Sequence, residues 1–275
     1  MTGKLISQAL HRTPREPASC ALITGATGGI GEAFARALPE ETQLILCGRD
    51  REKLDSLAAE FGDRAQTVAA DLASEDGLQR VADAAGTAEC DLLMNNAGLG
   101  AYGRFVDAPY PEHRDVIRVN IEAVTALIHQ IVPGMVERAH LNERRAGLIN
   151  VASSLAFFPV PTFATYAAAK AFVLSFTESF AAEMQDEPID ILVACPGAVR
   201  TDFGARAGFR GGGIPGAMAP EKVAKEALAA LGRQTTVLIG PASAAAFTPV
   251  ALARSMFGRA FMQASRVMER VADRG

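Results

Sequence analysis

Residues 20–37 read CALITGATGGIGEAFARA. The apolar run that ends at Thr24 predicts a buried strand, and the apolar spacing that begins near Glu32 predicts a helix. A glycine-rich turn, residues 25–31, connects the two. Such glycines permit a tight turn and let the backbone approach a diphosphate, whose negative charge suits the N–H groups at the start of a helix. The order of strand, glycine turn and helix therefore predicts a dinucleotide-binding unit.

A second informative stretch is Tyr166-Ala-Ala-Ala-Lys170, with Ser153 thirteen residues before the tyrosine. Residues four apart lie on one face of a helix, so the phenol and the ammonium are expected to be neighbours. A free phenol has a pKa of about 10, and an adjacent positive charge favours the phenolate and lowers that pKa. Tyr166 is therefore a candidate general acid or base. The alternative is a half-buried tyrosine beside a solvated lysine.

Short apolar runs alternate with helical patterns along the rest of the chain. This alternation predicts an α/β fold, a Rossmann-type doubly wound parallel sheet of about seven strands in a single domain. The domain is expected to span residues 19–242, between an N-terminal extension (1–18) and a C-terminal amphipathic helix (243–275). The predicted strands are residues 19–24, 43–47, 66–70, 91–95, 147–152, 189–194 and 236–239.

Composition argues against several classes of function. The formal net charge is −4, so no basic field favours nucleic acid. The cysteines lack the spacing of metal ligands, which predicts reduced, buried thiols in a cytoplasmic protein and no metal site. Residues 1–18 lack the apolar run of a signal peptide. No apolar stretch is expected to reach the roughly 20 residues that span a bilayer.

Together, the glycine turn and the Tyr166–Lys170 pair resemble the short-chain dehydrogenase/reductase family. Further matches follow in the family's order: Asp71-Leu72, the NNAG sequence of residues 95–98, Val119-Asn120-Ile121, the serine strand of residues 149–154 and the Pro196-Gly197 loop. The glycine pattern alone fits both shorter and longer members, but 275 residues leave no room for the longer members' separate substrate domain. The segments around Ser153 and Tyr166 resemble the branch that contains DltE-type oxidoreductases and some hydroxysteroid and ketoacyl reductases.

The resemblance implies a role for each matching residue. Tyr166 would exchange a proton with a carbonyl or alcohol oxygen, while Lys170 would lower its pKa and bind the nicotinamide ribose. Ser153 would hydrogen-bond the substrate oxygen, and Asn120 would hold a water that connects Lys170 to solvent. The other residues expected to bind the cofactor are Gly25, Thr27, Gly28, Gly29, Ile30, Gly31, Arg49, Asp71, Leu72, Asn95, Ala97, Gly98, Pro196, Gly197, Val199 and Thr201.

The choice of cofactor depends on the end of the second strand. NAD-binding folds place an acidic residue there to bind the ribose 2′-hydroxyl, whereas NADP-binding folds offer an arginine to the 2′-phosphate. Gly48 stands where the acid is expected and Arg49 follows it, so NADP (NADPH) is favoured over NAD. Asp50 is the counter-evidence, and it is expected instead to cap the next helix.

Aromatic residues indicate the class of substrate. Phe157 and Phe158 follow the serine. Phe203 precedes and Phe209 lies within the irregular stretch 204–218, which is expected to act as a substrate lid. Such surfaces favour a small apolar carbonyl or alcohol compound over a sugar or a phosphorylated metabolite. Core packing is an alternative explanation for some of these side chains.

Two apolar surfaces bear on larger partners. Phe172, Phe176 and Phe180 repeat every four residues, away from the Tyr166 line, and are either buried within the subunit or part of a homodimer or homotetramer contact. Residues 249–272 carry an apolar stripe with arginines beside it. This pattern predicts a helix that packs on the domain or on a neighbouring subunit; contact with a membrane surface is the alternative and is not favoured.

The expected function is an NADP-dependent oxidoreductase that interconverts a carbonyl and a secondary alcohol on an apolar substrate, with Tyr166 as general acid/base. A membrane-associated lipid or ketoacyl reductase is an alternative. A non-catalytic NADP-binding regulatory protein is a further alternative, against which the presence of both Tyr166 and Lys170 argues.

Overall fold

A parallel sheet forms the centre of the molecule in the computed structural model, which describes residues 16–209, 216–240, 245–251 and 253–254. Its seven strands are β1 (Cys20–Thr24), β2 (Gln43–Gly48), β3 (Ala65–Ala69), β4 (Leu92–Asn95), β5 (Ala146–Val151), β6 (Ile189–Pro196) and β7 (Thr236–Ile239). The spatial order is β3-β2-β1-β4-β5-β6-β7, and each neighbouring pair is parallel. The predicted doubly wound parallel sheet is confirmed, with strand ends within two residues of those expected.

Helices connect the strands and cover both faces of the sheet. They are α1 (Gly29–Ala37), α2 (Arg51–Ala59), α3 (Glu75–Thr87), α4 (Tyr110–Ile117), α5 (Ala123–Leu141), α6 (Ala164–Glu183), α7 (Phe203–Arg206) and α8 (Pro220–Ala230). A π-helical segment, Arg118–Glu122, joins α4 to α5, and short 3₁₀ turns occupy Gly62–Arg64 and Ser154–Phe157. Side chains of α1, α2 and α8 pack in the core on one face of the sheet, and those of α3, α5 and α6 pack on the other.

The five inner strands, β1, β2, β4, β5 and β6, read as short and mainly apolar runs because both of their faces are buried. In β1, Ala21 and Ile23 point into the core shared with α1, whereas Cys20 and Leu22 point into the core shared with α5. The order of the strands reverses direction between β1 and β4, and chains that leave these two strands turn to opposite faces. A crevice forms at such a switch point, outside the carboxyl ends of the strands, and this crevice positions the site.

Residues 110–141 form one continuous helical stretch that by length and composition is able to span a membrane, with a mean hydropathy of 1.3 over its most apolar window. The expectation that no stretch approaches such a length is therefore wrong for the described part of the chain. Half of the window is buried, and Leu127, Ile131 and Met135 contribute to the core. This burial is that of a core helix.

The two chain ends are described in part. Ala18 is buried, and its carbonyl oxygen accepts a hydrogen bond of 2.8 Å from the Thr42 hydroxyl, so residue 18 already belongs to the folded unit. Residues 1–15 of the predicted extension lie outside the described residues. At the other end, residues 245–251 and 253–254 are helical. The remainder of the predicted helix, residues 255–272, also lies outside.

The described part of the C-terminal helix packs on the domain. The ring of Phe247 is stacked on Phe157 and on Phe158, with centroids 5.5 and 5.1 Å apart. Nearby, Arg254 forms a 2.9 Å ion pair with Glu178. These contacts favour packing over membrane attachment for this part of the helix, because its apolar side chain already has partners.

Candidate active site

The glycine turn between β1 and α1 is shaped for close backbone packing. Gly25 has a φ of +63°, which an L-residue with a side chain rarely adopts. A Cβ on Gly31 would collide with the carbonyl oxygen of Gly25. The N-cap residue Gly28 provides no side-chain hydrogen bond, so the first N–H groups of α1 are left for another acceptor. The positive end of a helix at a switch point suits a diphosphate.

A cavity of about 610 Å³ extends from this turn across the ends of the neighbouring strands. Seventeen of the twenty predicted site residues line it: Gly25, Thr27, Gly28, Gly29, Ile30, Arg49, Asp71, Leu72, Ala97, Gly98, Ser153, Tyr166, Lys170, Pro196, Gly197, Val199 and Thr201. Most of them lie at the carboxyl ends of six adjacent strands, β1 to β6, because a parallel sheet brings those ends to one edge. The uncapped helix at one point and the phenol at another fit a nicotinamide dinucleotide.

Asn95, one of the predicted cofactor contacts, is buried and lies outside the cavity lining. It stands opposite Asn150 in the β4–β5 register, and its Nδ2 donates a 3.0 Å hydrogen bond to Oδ1 of that residue. The cavity is lined instead by Asn96, whose amide donates to the carbonyl oxygens of Thr24 and Gly25. Asn95 therefore fixes the spacing of two strands, and Asn96 holds the glycine turn.

Asn120 also lies outside the lining, within the π-helical segment that interrupts the long helix. Its side chain clamps the backbone of Leu99: Oδ1 accepts from the N–H at 3.0 Å, and Nδ2 donates to the carbonyl at 2.7 Å. A Cβ on Gly98 would lie 3.1 Å from Oδ1 of Asn120 and 3.4 Å from Nζ of Lys170, so the two residues flank the same turn. With both polar atoms bonded, the Asn120 side chain positions this loop.

Tyr166 and Lys170 lie on adjacent turns of α6, and both are buried. Nζ of Lys170 is 5.7 Å from the centroid of the Tyr166 ring and donates a 2.8 Å hydrogen bond to the carbonyl oxygen of Val151. Burial raises the pKa of Tyr166 to about 12, against a smaller opposite effect of the Ser153 hydroxyl. Burial also lowers the pKa of Lys170 to about 8. The expected lowering of the phenol pKa is not what this arrangement produces, because desolvation dominates.

At the other side of the crevice, β2 ends at Gly48, and Arg49 follows in the cavity lining. The side chain of Arg49 is exposed and has no hydrogen bond or ion pair within the described part of the chain. Asp50 is the N-cap of α2, and its Oδ1 accepts a 3.1 Å hydrogen bond from the N–H of Lys53. The predicted cap is therefore present, and the Asp50 carboxylate is engaged by its own helix.

Aromatic rings form the wall beside Tyr166. The rings of Phe203 and Phe163 lie 5.1 and 6.0 Å from the Tyr166 ring, and Phe163 lies 5.0 Å from Tyr102. Part of the stretch expected to be irregular is the short helix α7, and residues 210–215 of it lie outside the described residues. Phe157 and Phe158 are absent from the lining and pack on Phe247 instead.

Several residues at the cavity were not foreseen. Phe163 and Leu155 precede the tyrosine in segments whose turns the sequence pattern did not define. Arg206 reaches the glycine turn from α7, more than 170 residues away along the chain, and no motif marks it. The NNAG match was a usable signal for Asn96, since it contains two adjacent asparagines of which only one faces the cavity.

Comparisons with known proteins agree with this fold. The profile of the short chain dehydrogenase family matches residues 19–208. Nodulation protein G of Rhizobium sp. (strain N33) is 35% identical over 187 residues, which cover 66% of this chain and 73% of that protein.

Two solved structures share the fold over most of their length. A short-chain dehydrogenase from Sphingobium yanoikuyae in complex with NADPH is 28% identical, with a TM-score of 0.78 over 88% of this chain and 94% of that one. The 3-ketoacyl-(acyl-carrier-protein) reductase from Brucella melitensis complexed with NADH is 26% identical, with a TM-score of 0.72 over 82% and 97%. The neighbours thus include a complex with each form of nicotinamide cofactor.

Proposed function

The chain belongs to the short-chain dehydrogenase family of oxidoreductases, and we propose that it is an NADP-dependent member that interconverts a carbonyl and a secondary alcohol on an apolar substrate. One observation carries the proposal. A single cavity is lined by Arg49 after β2 and by Ser153, Tyr166 and Lys170 beside β5, with the glycine turn between them. The protein therefore offers an anion site and a proton donor on the two sides of one crevice.

The proton chemistry follows from the burial of the two titrating groups. A bound nicotinamide ring would supply or accept the hydride. In the direction of reduction, Tyr166 donates its phenolic proton to the substrate oxygen, and its raised pKa keeps it protonated at neutral pH. The Ser153 hydroxyl holds the same oxygen, and the ammonium of Lys170 stabilises the phenolate that remains.

Support for NADP comes from the charges after β2. Arg49 is exposed in the lining without a partner among the described residues, and the Asp50 carboxylate caps α2. A guanidinium free to form charge-assisted hydrogen bonds suits the 2′-phosphate, whereas a carboxylate would suit the 2′-hydroxyl of NAD.

Support for an apolar substrate comes from the aromatic wall of Phe163, Phe203 and Phe209 in the cavity lining. A ketoacyl substrate is a specific form of this proposal, which the resemblance to a 3-ketoacyl reductase favours. A membrane-associated lipid reductase is less well supported, because Phe247 of the C-terminal helix already packs on the domain.

Assembly as a homodimer or homotetramer is also part of the proposal. Phe172, Phe176 and Phe180 form a stack on α6 with centroids 5.8 Å apart. Phe176 and Phe180 pack against the core, whereas Phe172 is 38% exposed. The exposed end of the stack supports a contact between subunits, which sedimentation of the wild type and of Phe172→Ser would test.

The test of function combines a substrate screen with one substitution. Ketones and alcohols are offered with NADPH, NADH, NADP and NAD, and nicotinamide absorbance is followed. With a confirmed substrate, Tyr166→Phe should lower turnover by about 10²–10⁴-fold, because only the phenolic proton donor is lost, while cofactor affinity stays near that of the wild type. Tyr102→Phe is the matched control, since it removes a phenol at the rim of the same aromatic cluster. A Tyr166→Phe rate above half that of the wild type would reject Tyr166 as the acid.

A further inference from the structure

Arg206 occupies a distinctive place between α7 and the glycine turn. A Cβ built on Gly28 would lie 3.7 Å from Nη2 of Arg206, so the guanidinium faces the open side of that glycine. Both residues belong to the cavity lining. The Arg206 side chain is exposed and forms no hydrogen bond or ion pair with any residue that the structure describes.

Arg206 lies beside a second positive group, the start of α1. The guanidinium faces the N-terminal end of α1, where no side chain caps the N–H groups and the helix dipole is positive. A charged guanidinium and a positive helix end thus lie close together at Gly28, where the carbonyl oxygen of Gly25 is 3.4 Å from the same Cβ position. The neighbouring glycines do not face this guanidinium: a Cβ on Gly29 would meet Thr201 and Pro220, and a Cβ on Gly25 would meet Ala97. An anion bound between the two positive groups would satisfy both.

We propose that Arg206 binds the diphosphate of the dinucleotide from the side opposite the first turn of α1. The inference rests on the proposed function only in taking a nicotinamide dinucleotide as the ligand. Arg206 is then a second arginine of the cofactor site, separate from Arg49. Arg206 binds the diphosphate that NAD and NADP share, whereas Arg49 binds the 2′-phosphate that only NADP has.

The contacts of α7 extend the consequence to the substrate side. Phe203, at the start of α7, lies against the Tyr166 ring, and a Cβ on Gly100 would meet Phe203 and Ala207. The carbonyl oxygen of Ala207 accepts a 2.8 Å hydrogen bond from the N–H of Tyr102. An anion that binds Arg206 would therefore also fix the position of α7, which contributes Phe203 to the aromatic wall of the substrate space.

The test measures binding by calorimetry with three probes: NADPH, ADP-ribose and adenosine 2′-monophosphate. ADP-ribose contains the diphosphate without the 2′-phosphate, and adenosine 2′-monophosphate contains the reverse. Arg206→Gln should weaken NADPH and ADP-ribose by about tenfold or more, since a charge-assisted hydrogen bond is lost. Adenosine 2′-monophosphate should bind as it does to the wild type. Arg206→Lys should recover part of the loss.

Arg233→Gln is the matched control. Arg233 is exposed just before β7, at the opposite edge of the sheet, so its loss changes the net charge equally. Unchanged ADP-ribose affinity in Arg206→Gln overturns the inference, as does an equal loss for all three probes or an equal loss in Arg233→Gln. If the wild type and Arg206→Gln bind NADPH and ADP-ribose equally well, only the assignment of Arg206 is refuted. If the wild type binds neither NADPH nor ADP-ribose, the proposed function is refuted.

Discussion

The burial of Lys170 makes a prediction about stability that is independent of any substrate. Its side chain is 4% exposed, and its ammonium has one hydrogen bond, to the carbonyl of Val151. Burial lowers its pKa from 10.5 to about 8. Replacing Lys170 by Met keeps a side chain of similar length and removes the titrating group. We expect Lys170→Met to be more stable than the wild type near neutral pH, by an amount that falls as pH rises.

The sign and the size follow from proton linkage. Below pH 8 both the folded and the unfolded chain carry the proton, so the full cost of the buried charge is present. Between pH 8 and 10.5 the unfolded chain binds more protons, and the wild type gains stability as pH rises. Each pKa unit corresponds to about 1.4 kcal/mol, so the shift represents about 3 kcal/mol. Loss of the Val151 hydrogen bond subtracts about 1 kcal/mol at every pH.

The assay is urea unfolding of the wild type and Lys170→Met at pH values from 6 to about 10.5. The difference between the two free energies of unfolding is the quantity of interest, because titrating groups that are distant from Lys170 are common to both proteins and cancel. Lys222→Met is the control: Lys222 is an exposed residue of α8 that pairs with Glu226. A difference that stays constant from pH 7 to 10.5, or that grows, would refute the reasoning.

Two further predictions concern the ends of the cavity and of the chain. Arg49→Ala should weaken NADPH binding about tenfold or more in calorimetry and leave NADH binding nearly unchanged. The control Arg51→Ala should change neither affinity. Equal losses for both cofactors would show that Arg49 does not discriminate between them. Phe247→Ala should lower the free energy of unfolding by about 1–3 kcal/mol, because two ring contacts are lost. Val250 is exposed, so the control Val250→Ala should leave the free energy of unfolding nearly unchanged. An unchanged melting temperature in Phe247→Ala would argue for a helix that does not pack on the domain.

The sheet was predictable because its physics is local. Strands that are covered on both faces are mainly apolar, as Ile189–Pro196 illustrates: all of its residues are buried, and Asp190 is its one charged residue. Once parallel strands are accepted, their carboxyl ends share an edge, and residues as distant as Asp71 and Thr201 are placed on one cavity. The fold and most of the lining therefore follow from short segments read in order.

What escaped prediction depends on register and on burial, which no short segment contains. Asn95 and Asn96 are adjacent, and only the pairing of Asn95 with Asn150 decides which of them faces the cavity. The spacing of Tyr166 and Lys170 gives their proximity but not their desolvation, so the direction of the phenol pKa was misjudged. Arg206 comes near Gly28 only through the path of the chain after β6.

The same desolvation connects the stability of the protein to its proposed chemistry. Burial disfavours a lone ammonium on Lys170 and a lone phenolate on Tyr166. When both are charged, their mutual attraction offsets part of this cost of burial. When Tyr166 gives up its proton, a charged Lys170 stabilises the phenolate, and a neutral Lys170 does not. The proposed reaction, in the direction of reduction, therefore needs the protonated lysine that folding disfavours. The pKa of about 8 keeps most of that charge at neutral pH, which would account for a destabilising group beside the proposed proton donor.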